Sequence, residues 1–329
     1  MSSPTTIDYE RMGNVRQVPL EEFYASGHRT CQGCESALVL RQAAKAAGPR
    51  TVSTGSTGCM YVANTSYMTT PWVLPWMHTQ LGAGGSSAVG TAAALRVLMR
   101  KGRIPQEKIN VINFCGDLGG GDMGLAAISG ALQTDYDLLV VMYDNESAAN
   151  TDIQATGLTT WGAQTTFSPP GKARRIMHRR WKKNVAPMLA VGHPTCRYVA
   201  TACSAYPPLD LMNKVRKALA TGGPTFIHAF DPCPKGWDFD PRYSQELGEL
   251  GIKCGIFPLY EILDGQVTYT YDPRKKGRSP VREYLQKQGR FAHLIDEDID
   301  YIQKMVDRMW DDWEVPGVIP LAGGLRAAS

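Results

Sequence analysis

No stretch of this 329-residue chain is apolar for long enough to span a membrane, and its polar amino terminus lacks a secretory pattern. A cytoplasmic location is expected. An excess of one charge is also missing, since a net charge of +4 is too small to argue for nucleic acid by itself. The acids are unevenly spread, however. Residues 153–209 hold no Asp or Glu, and the run KARRIMHRRWKK at 172–183 carries seven Lys and Arg. Only Trp181 interleaves it with an aromatic ring. Such a run suits a basic face that docks on another subunit or steers an acidic partner, or a merely solvated helix face. A second C-x-x-C is absent too. Eight cysteines in a reducing compartment are free thiols or metal ligands rather than disulfides.

What is present is a folded composition, 43% hydrophobic and 20% charged, enough for one large α/β domain or two modest ones. Residues 1–26 read as a polar arm lying on a neighbour or on the domain surface. Residues 27–241 read as the main domain. Residues 242–329 read as an extension of a short hairpin-like run (255–261), helical periodicity (280–313) and a Pro/Gly/Ala tail. No internal repeats are visible.

The chain is arranged around one stretch. An apolar run at Val111, Ile112 and Phe114 ends in Gly116-Asp117. Glycines 119–121, Asp122 and Gly124 follow and open a helix, and a second buried strand (138–142) runs into Asp144-Asn145. Strand, glycine-acid turn, helix and strand make one βαβ unit. Its polar residues fall where open parallel sheets bind ligands, at the carboxyl ends of strands. Further helices (37–47, 86–99, 208–221) and strands (198–202, 225–230) continue the alternation, so the fold is expected to be α/β, with a mainly parallel sheet and helices on both faces. The helix at 86–99 is rich in Ala and Gly and should let another element approach closely. His78, just before it, could touch a ligand; a satisfied buried histidine is the plainer expectation.

Glycines at 116 and 119–121 let backbone N–H groups approach an anion beside a helix N-terminus. Asp117 and Asn145, twenty-eight residues apart, each offer a hard oxygen that suits Mg²⁺ bridging a diphosphate. An ordinary βα turn with Asp117 as helix cap fits the same residues. Elsewhere, Cys31 and Cys34 form the lone C-x-x-C at a loop-to-helix junction, Cys59 sits in a small-residue turn, and Cys233 follows the strand at 225–230. Four thiolates suit a [4Fe–4S] cluster or a structural zinc. Cys115, Cys196, Cys203 and Cys254 read as buried apolar thiols.

Gly116-Asp117 with Asn145 resembles the diphosphate motif of thiamine-diphosphate enzymes. Asp144-Asn145-Glu146 followed by Asn150-Thr151-Asp152-Ile153-Gln154 narrows the likeness to the β subunit of pyruvate (2-oxoacid):ferredoxin oxidoreductase. GHRTCQGC at 27–34, Cys59 twenty-five residues after Cys34, and PCPKGW at 232–237 match that family's cluster pattern independently. The similarity runs from Gly27 to about residue 313. Two departures stand out: Leu118 where the family has the third residue of Gly-Asp-Gly, and Asp152 where it has Gly.

The resemblance implies a thiamine-diphosphate-binding fold, with Gly116, Asp117, Gly119, Asn145 and Ser147 at the cofactor and its Mg²⁺. It implies a [4Fe–4S] cluster on Cys31, Cys34, Cys59 and Cys233, with Asn150 beside the substrate. It also implies oxidative decarboxylation of a 2-oxoacid to an acyl-coenzyme A and CO₂, with electrons leaving through the cluster to ferredoxin or a similar carrier. Partner subunits of the α, γ and δ type would supply the glutamate that activates the aminopyrimidine and most coenzyme A contacts. The carboxyl-terminal helices would pack on those partners, and alone the chain would be incompetent. Ala148 and Ala149 stand where pyruvate-type relatives carry larger residues. With Asp152 as an added carboxylate, they suggest a bulky or aromatic 2-oxoacid such as phenylglyoxylate, with pyruvate as the close rival. Three other classes compete: an electron-transfer subunit that lost its cofactor, a zinc-stabilised structural subunit, and a nucleic-acid binder using residues 172–183.

Overall fold

The computed structural model describes residues 6–65, 69–311 and 326–327. Its frame is a single sheet. The strands are β1 (Thr51–Ser56), β2 (Trp76–Thr79), β3 (Asn110–Gly116), β4 (Leu138–Asp144), β5 (Tyr198–Cys203), β6 (Pro224–Phe230), β7 (Leu259–Leu263), β8 (Gln266–Tyr271) and the two-residue β9 (Arg326–Ala327). They lie in the order β2-β1-β3-β4-β6-β5-β7-β8-β9. From β2 to β5 every pair is parallel, and β7 and β8 then add antiparallel. The expected α/β architecture is the one observed.

The helices are α1 (Glu35–Ala47), α2 (Cys59–Val62), α3 (Gly84–Arg100), α4 (Leu125–Leu132), α5 (Val185–Gly192), α6 (Asp210–Thr221), α7 (Pro234–Trp237), α8 (Ser244–Lys253), α9 (Val281–Leu285) and α10 (Asp296–Asp311). Strand periodicity sorts them onto two faces. Val111, Cys115, Val140 and Met142 bury themselves with α3, α4 and α5. Their neighbours Ile112, Phe114, Leu139, Val141 and Tyr143 pack with α1 and α6 on the other face. All seven residues of β4 are buried, as a strand covered on both sides must be. The small residues of α3 do allow close approach: a Cβ on Gly85 would sit 2.3 Å from the Ala127 carbonyl oxygen of α4.

The topology fixes where a ligand can lie. After β1 the chain moves outward to β2, then returns to the opposite side of β1 as β3. The carboxyl ends of β1 and β3 therefore diverge, and the crevice between them is the switch point at which such sheets bind ligands. Register aligns the neighbouring ends: Gly116 of β3 pairs with Tyr143 of β4, and Asp144 pairs with Phe230 of β6. Residues 56–59, 116–119, 144–147 and 230–233 thus share one edge.

Several expectations need correction or refinement. The hairpin is not at 255–261; it joins β7 and β8 through Asp264-Gly265, both at positive φ. Asp-Gly in a two-residue turn is the signal for that geometry. Gly255 instead ends α8 at φ +81, with Trp310 Nε1 donating to its carbonyl at 2.8 Å. The basic run at 172–183 forms no helix and is not a solvated helix face. The arm lies on the chain's own surface: Met12, Phe23 and Tyr24 are buried, and Lys45 Nζ donates to the Pro19 carbonyl at 2.7 Å. Helix α10 buries Ile299, Ile302, Val306 and Trp310 against this chain's own core. Most of the Pro/Gly/Ala tail lies outside the described residues. No described helix is long and apolar enough to cross a membrane.

Candidate functional site

A cleft of about 460 Å³ opens at the switch point, lined by Thr57 to Cys59, Gly116 to Gly119, Tyr143, Asn145 and Ser147 to Thr151, with Leu81 opposite. All the residues expected at a cofactor and its cation are therefore in one place, and Asn150 stands exposed in the wall. Sequence reasoning missed Thr57, Leu81 and Tyr143 here, because none carries a motif; a register count from β1 and β4 would have placed Thr57 and Tyr143.

Asp117 is fully buried where β3 ends. Its Oδ2 accepts a hydrogen bond from Thr156 Oγ1 at 2.5 Å, while Oδ1 has no partner. Burial and the nearby Asp144 push its carboxyl well above the usual range, and the Thr156 bond opposes them. A buried acid held this way lacks a counter-charge. A hard cation in the cleft would complete it. Asn145 and Ser147 are also buried beside it. The residues present therefore fit a divalent cation bridging an anionic group.

The glycines play unequal parts. A Cβ on Gly116 would press on the Tyr143 ring at 3.2 Å, and one on Gly119 would meet Leu81 and Ser56 at 3.3 Å, on the cleft side. Gly120 and Gly121 face inward: a Cβ there would strike Met142 at 2.6 Å or Leu158 at 2.4 Å. These two serve packing rather than anion approach. Leu118 occupies the first position of a wide helical turn, Leu118–Asp122, and its side chain lines the cleft. Asp122 turns away; its Oδ2 accepts from the Gly157 N–H at 2.8 Å and Oδ1 pairs with Lys183.

The Asp144-Asn145-Glu146 turn is held from below. Asp144 accepts from His228 Nε2 at 2.7 Å and from the Glu146 N–H at 2.9 Å. Glu146, at φ +60 and with no exposed surface, pairs with Lys182 at 2.6 Å and Arg290 at 2.8 Å. Burial would raise its carboxyl, but the two cations outweigh that and hold it at about 2. The basic run thus points partly inward: Lys182 serves Glu146, Lys183 serves Asp122, and Arg175 pairs with Asp298. Asp152 is exposed, does not line the cleft, and takes the left-handed conformation at φ +84 that a glycine adopts freely. His78 is not a buried histidine; it is exposed, with Nε2 3.0 Å from the Thr57 Oγ1 at the cleft rim.

The four cysteines converge beside this edge. Burial raises Cys34, Cys59 (to about 12) and Cys233 (to about 11), and mutual repulsion adds to it: Cys233 acts on Cys34 and Cys59, and Cys31 on Cys59 and Cys233. Cys233 Sγ accepts from the Gly236 N–H at 3.3 Å, a donor that favours a thiolate. The C-x-x-C turn needs Gly33 at φ +67, because a Cβ there would lie 2.5 Å from the Pro241 carbonyl oxygen. Among the described residues no three His, Cys, Asp or Glu are gathered as tightly as one metal ion requires. Cys115, Cys196, Cys203 and Cys254 are buried, as expected.

Fold and edge together define a thiamine-diphosphate-binding domain. Residues 56–229 match the family described as thiamine pyrophosphate enzyme, C-terminal TPP binding domain. Pyruvate synthase subunit PorB of Methanocaldococcus jannaschii is 47% identical over 294 residues, which cover 89% of this chain and 97% of that protein. Its namesake from Methanothermobacter thermautotrophicus is 43% identical, covering 91% and 100%. Ketoisovalerate oxidoreductase subunit VorB of Pyrococcus abyssi is 36% identical, covering 89% and 93%. A chain of the 2-oxoglutarate:ferredoxin oxidoreductase from Magnetococcus marinus shares the fold with a TM-score of 0.55 at 16% identity, covering 91% of this chain and 99% of that one. The chain belongs to the β-subunit family of the pyruvate and other 2-oxoacid:ferredoxin oxidoreductases.

Proposed function

We propose that this chain is the subunit of a pyruvate-type 2-oxoacid oxidoreductase that holds the diphosphate of thiamine diphosphate, its Mg²⁺ and a [4Fe–4S] cluster. The observation that carries this reading is Asp117, a buried carboxylate with one oxygen unpartnered in a cleft beside four converging cysteines. When bound, thiamine diphosphate supplies the nucleophilic carbon and electron sink that decarboxylation of a 2-oxoacid requires. The chain's own residues bind and orient. Gly116 and Gly119 let the backbone approach the diphosphate, and Asp117, Asn145 and the Ser147 carbonyl hold Mg²⁺. Asn150 offers its amide to the substrate at the cleft wall. Cys31, Cys34, Cys59 and Cys233 hold the cluster that takes the electrons. Partner subunits of the α, γ and δ type bring the rest of the cofactor site, coenzyme A and the route to ferredoxin or another carrier. The complex works in the cytoplasm.

Two relatives above 40% identity named pyruvate synthase support pyruvate as substrate. A specific feature favours a second reading. Ala148 and Ala149 both line the cleft and leave room for a bulky or aromatic 2-oxoacid such as phenylglyoxylate. Each added apolar group so accommodated contributes about 1–3 kcal/mol. The assembled complex, purified without air, tests both parts. It should carry thiamine diphosphate and about four iron per chain. Cys233→Ala should lose the iron, while Cys196→Ala and Cys254→Ala keep it; the reverse would show that the ligands are misassigned. The ratio of kcat/KM for pyruvate to phenylglyoxylate decides the substrate: a pyruvate preference of about tenfold, or 1.4 kcal/mol, sinks the bulky reading.

A further inference from the structure

Between the cation-binding turn and the cluster lies a short element to which neither role has been given. Helix α7 is one turn long. Cys233 caps it at one end, and Trp237, with no exposed surface, closes it at the other. Trp237 Nε1 donates to the Asn145 carbonyl oxygen at 2.8 Å. In the middle, a Cβ on Gly236 would lie 3.2 Å from Cys233 Sγ and 3.4 Å from Ser147 Oγ, so the helix backbone touches both sites at once. Arg290, 4% exposed, clamps this assembly from the side. Its guanidinium stacks 3.9 Å from the centre of the Trp237 ring while Nη1 pairs with Glu146 Oε2. Its Nε donates to Gln288 Oε1 at 2.8 Å, and its backbone carbonyl accepts from the Gln164 N–H at 2.9 Å, which fixes the arginine itself.

We propose that Trp237 and Arg290 are positioning residues that join the Asn145–Ser147 turn to the Cys233 turn, so that filling the cation and diphosphate site alters the surroundings of the cluster. The inference rests on the functional reading above. The physical reason is rigidity. Asn145 and Glu146 can shift only if the indole N–H loses its acceptor or the guanidinium leaves its carboxylate, and either leaves a buried polar group unpaired. The indole bond leads directly to the turn that carries Cys233, and the guanidinium stacks on the same indole. Coupling of this kind is reciprocal for binding: whatever cofactor loading does to the cluster's surroundings, the cluster's state does to cofactor affinity.

The test uses the assembled complex, stripped of thiamine diphosphate and Mg²⁺ and then reloaded. Two quantities are read: the apparent Kd for thiamine diphosphate with Mg²⁺, and the electron paramagnetic resonance spectrum of the reduced cluster before and after loading. In the parent complex the spectrum should change on loading. Trp237→Phe keeps an aromatic ring for Arg290 to stack on but lacks the N–H. It should retain full iron, weaken cofactor binding about two- to tenfold, and lose the spectral change on loading. Arg290→Gln should weaken binding further, and Arg290→Lys should recover part of it by restoring charge to Glu146. A Trp237→Phe complex with unchanged Kd, or one that still shows the parent's spectral change, overturns the coupling. A parent complex without iron or thiamine diphosphate overturns the functional reading itself, and the coupling with it. Should Trp237→Phe lose iron, the Arg290→Lys and Arg290→Gln pair decides: equal Kd and spectra in the two overturn the role of the clamp.

Discussion

Asp117 and Glu146 stand one and two residues beyond the ends of the adjacent strands β3 and β4, both acids and both without exposed surface, yet they obey opposite electrostatics. Glu146 has Lys182, Arg290 and Thr160 around it, and its carboxyl is held at about 2. Asp117 has one hydroxyl and no cation, and its carboxyl is pushed up. A buried charge is tolerated only when paired. The pair within the chain marks Glu146 as structural, and the missing pair supports the proposal that Asp117 holds a metal. The difference teaches that lost compensation sorts buried acids only together with position: Asp231 on the same edge is likewise buried with one oxygen unpartnered, but Asp117 lines the cleft and Asp231 does not.

Two substitutions would break the contrast if it were false. The larger effect belongs to Glu146→Gln, which strands two buried cations and should cost about 3–5 kcal/mol of stability. Thermal unfolding of the complex measures it. The sign with pH follows from the depressed value. Glu146 stabilises the fold fully above its unfolded pKa of about 4.3, and that contribution is lost as pH falls toward about 2. The variant should lack that part of the acid transition. Asp117→Asn should do the opposite. Without cofactor it relieves an unpaired buried carboxylate and leaves the melting temperature equal or higher, yet it should weaken thiamine diphosphate and Mg²⁺ binding by about 2–5 kcal/mol with iron unchanged. Normal cofactor content in Asp117→Asn would make the aspartate an ordinary part of the turn.

Residues close in sequence announced themselves, and those brought together by the fold did not. The strand run at Val111 to Phe114, the Gly116-Asp117 turn and Asp144-Asn145 were legible because period, glycine and acid all lie within one βαβ unit. Which acid would be compensated was not legible: Lys182 is 36 residues from Glu146, and Arg290 lies in the far carboxyl-terminal segment. Lys182 and Lys183 read as surface charge for that reason, and Asp122, in the same glycine turn as Asp117, gives no sequence sign that it faces Lys183 instead. His78 failed differently. A histidine amid tryptophans reads as core, but β2 is the edge strand and turns His78 outward.

The finest test of the comparison is Thr156→Val. Among the described residues Thr156 Oγ1 is the only side-chain hydrogen-bond partner of Asp117, 39 residues away in sequence, and valine keeps the shape of threonine while removing the hydroxyl. The hydroxyl lowers the Asp117 carboxyl against burial and against Asp144, so its loss must raise it further. Mg²⁺ takes the ionised form. Cofactor affinity on acidification should therefore fail at a higher pH in the variant than in the parent, while at alkaline pH the two converge to within about tenfold. Stability should fall by about 1–3 kcal/mol, because the hydroxyl also accepts from the buried Leu158 N–H at 3.2 Å. Titrating apparent Kd for thiamine diphosphate with Mg²⁺ against pH reads the shift directly. Coincident pH profiles in the two proteins would mean that Asp117 ionises independently of Thr156, and the uncompensated acid would lie elsewhere on this edge.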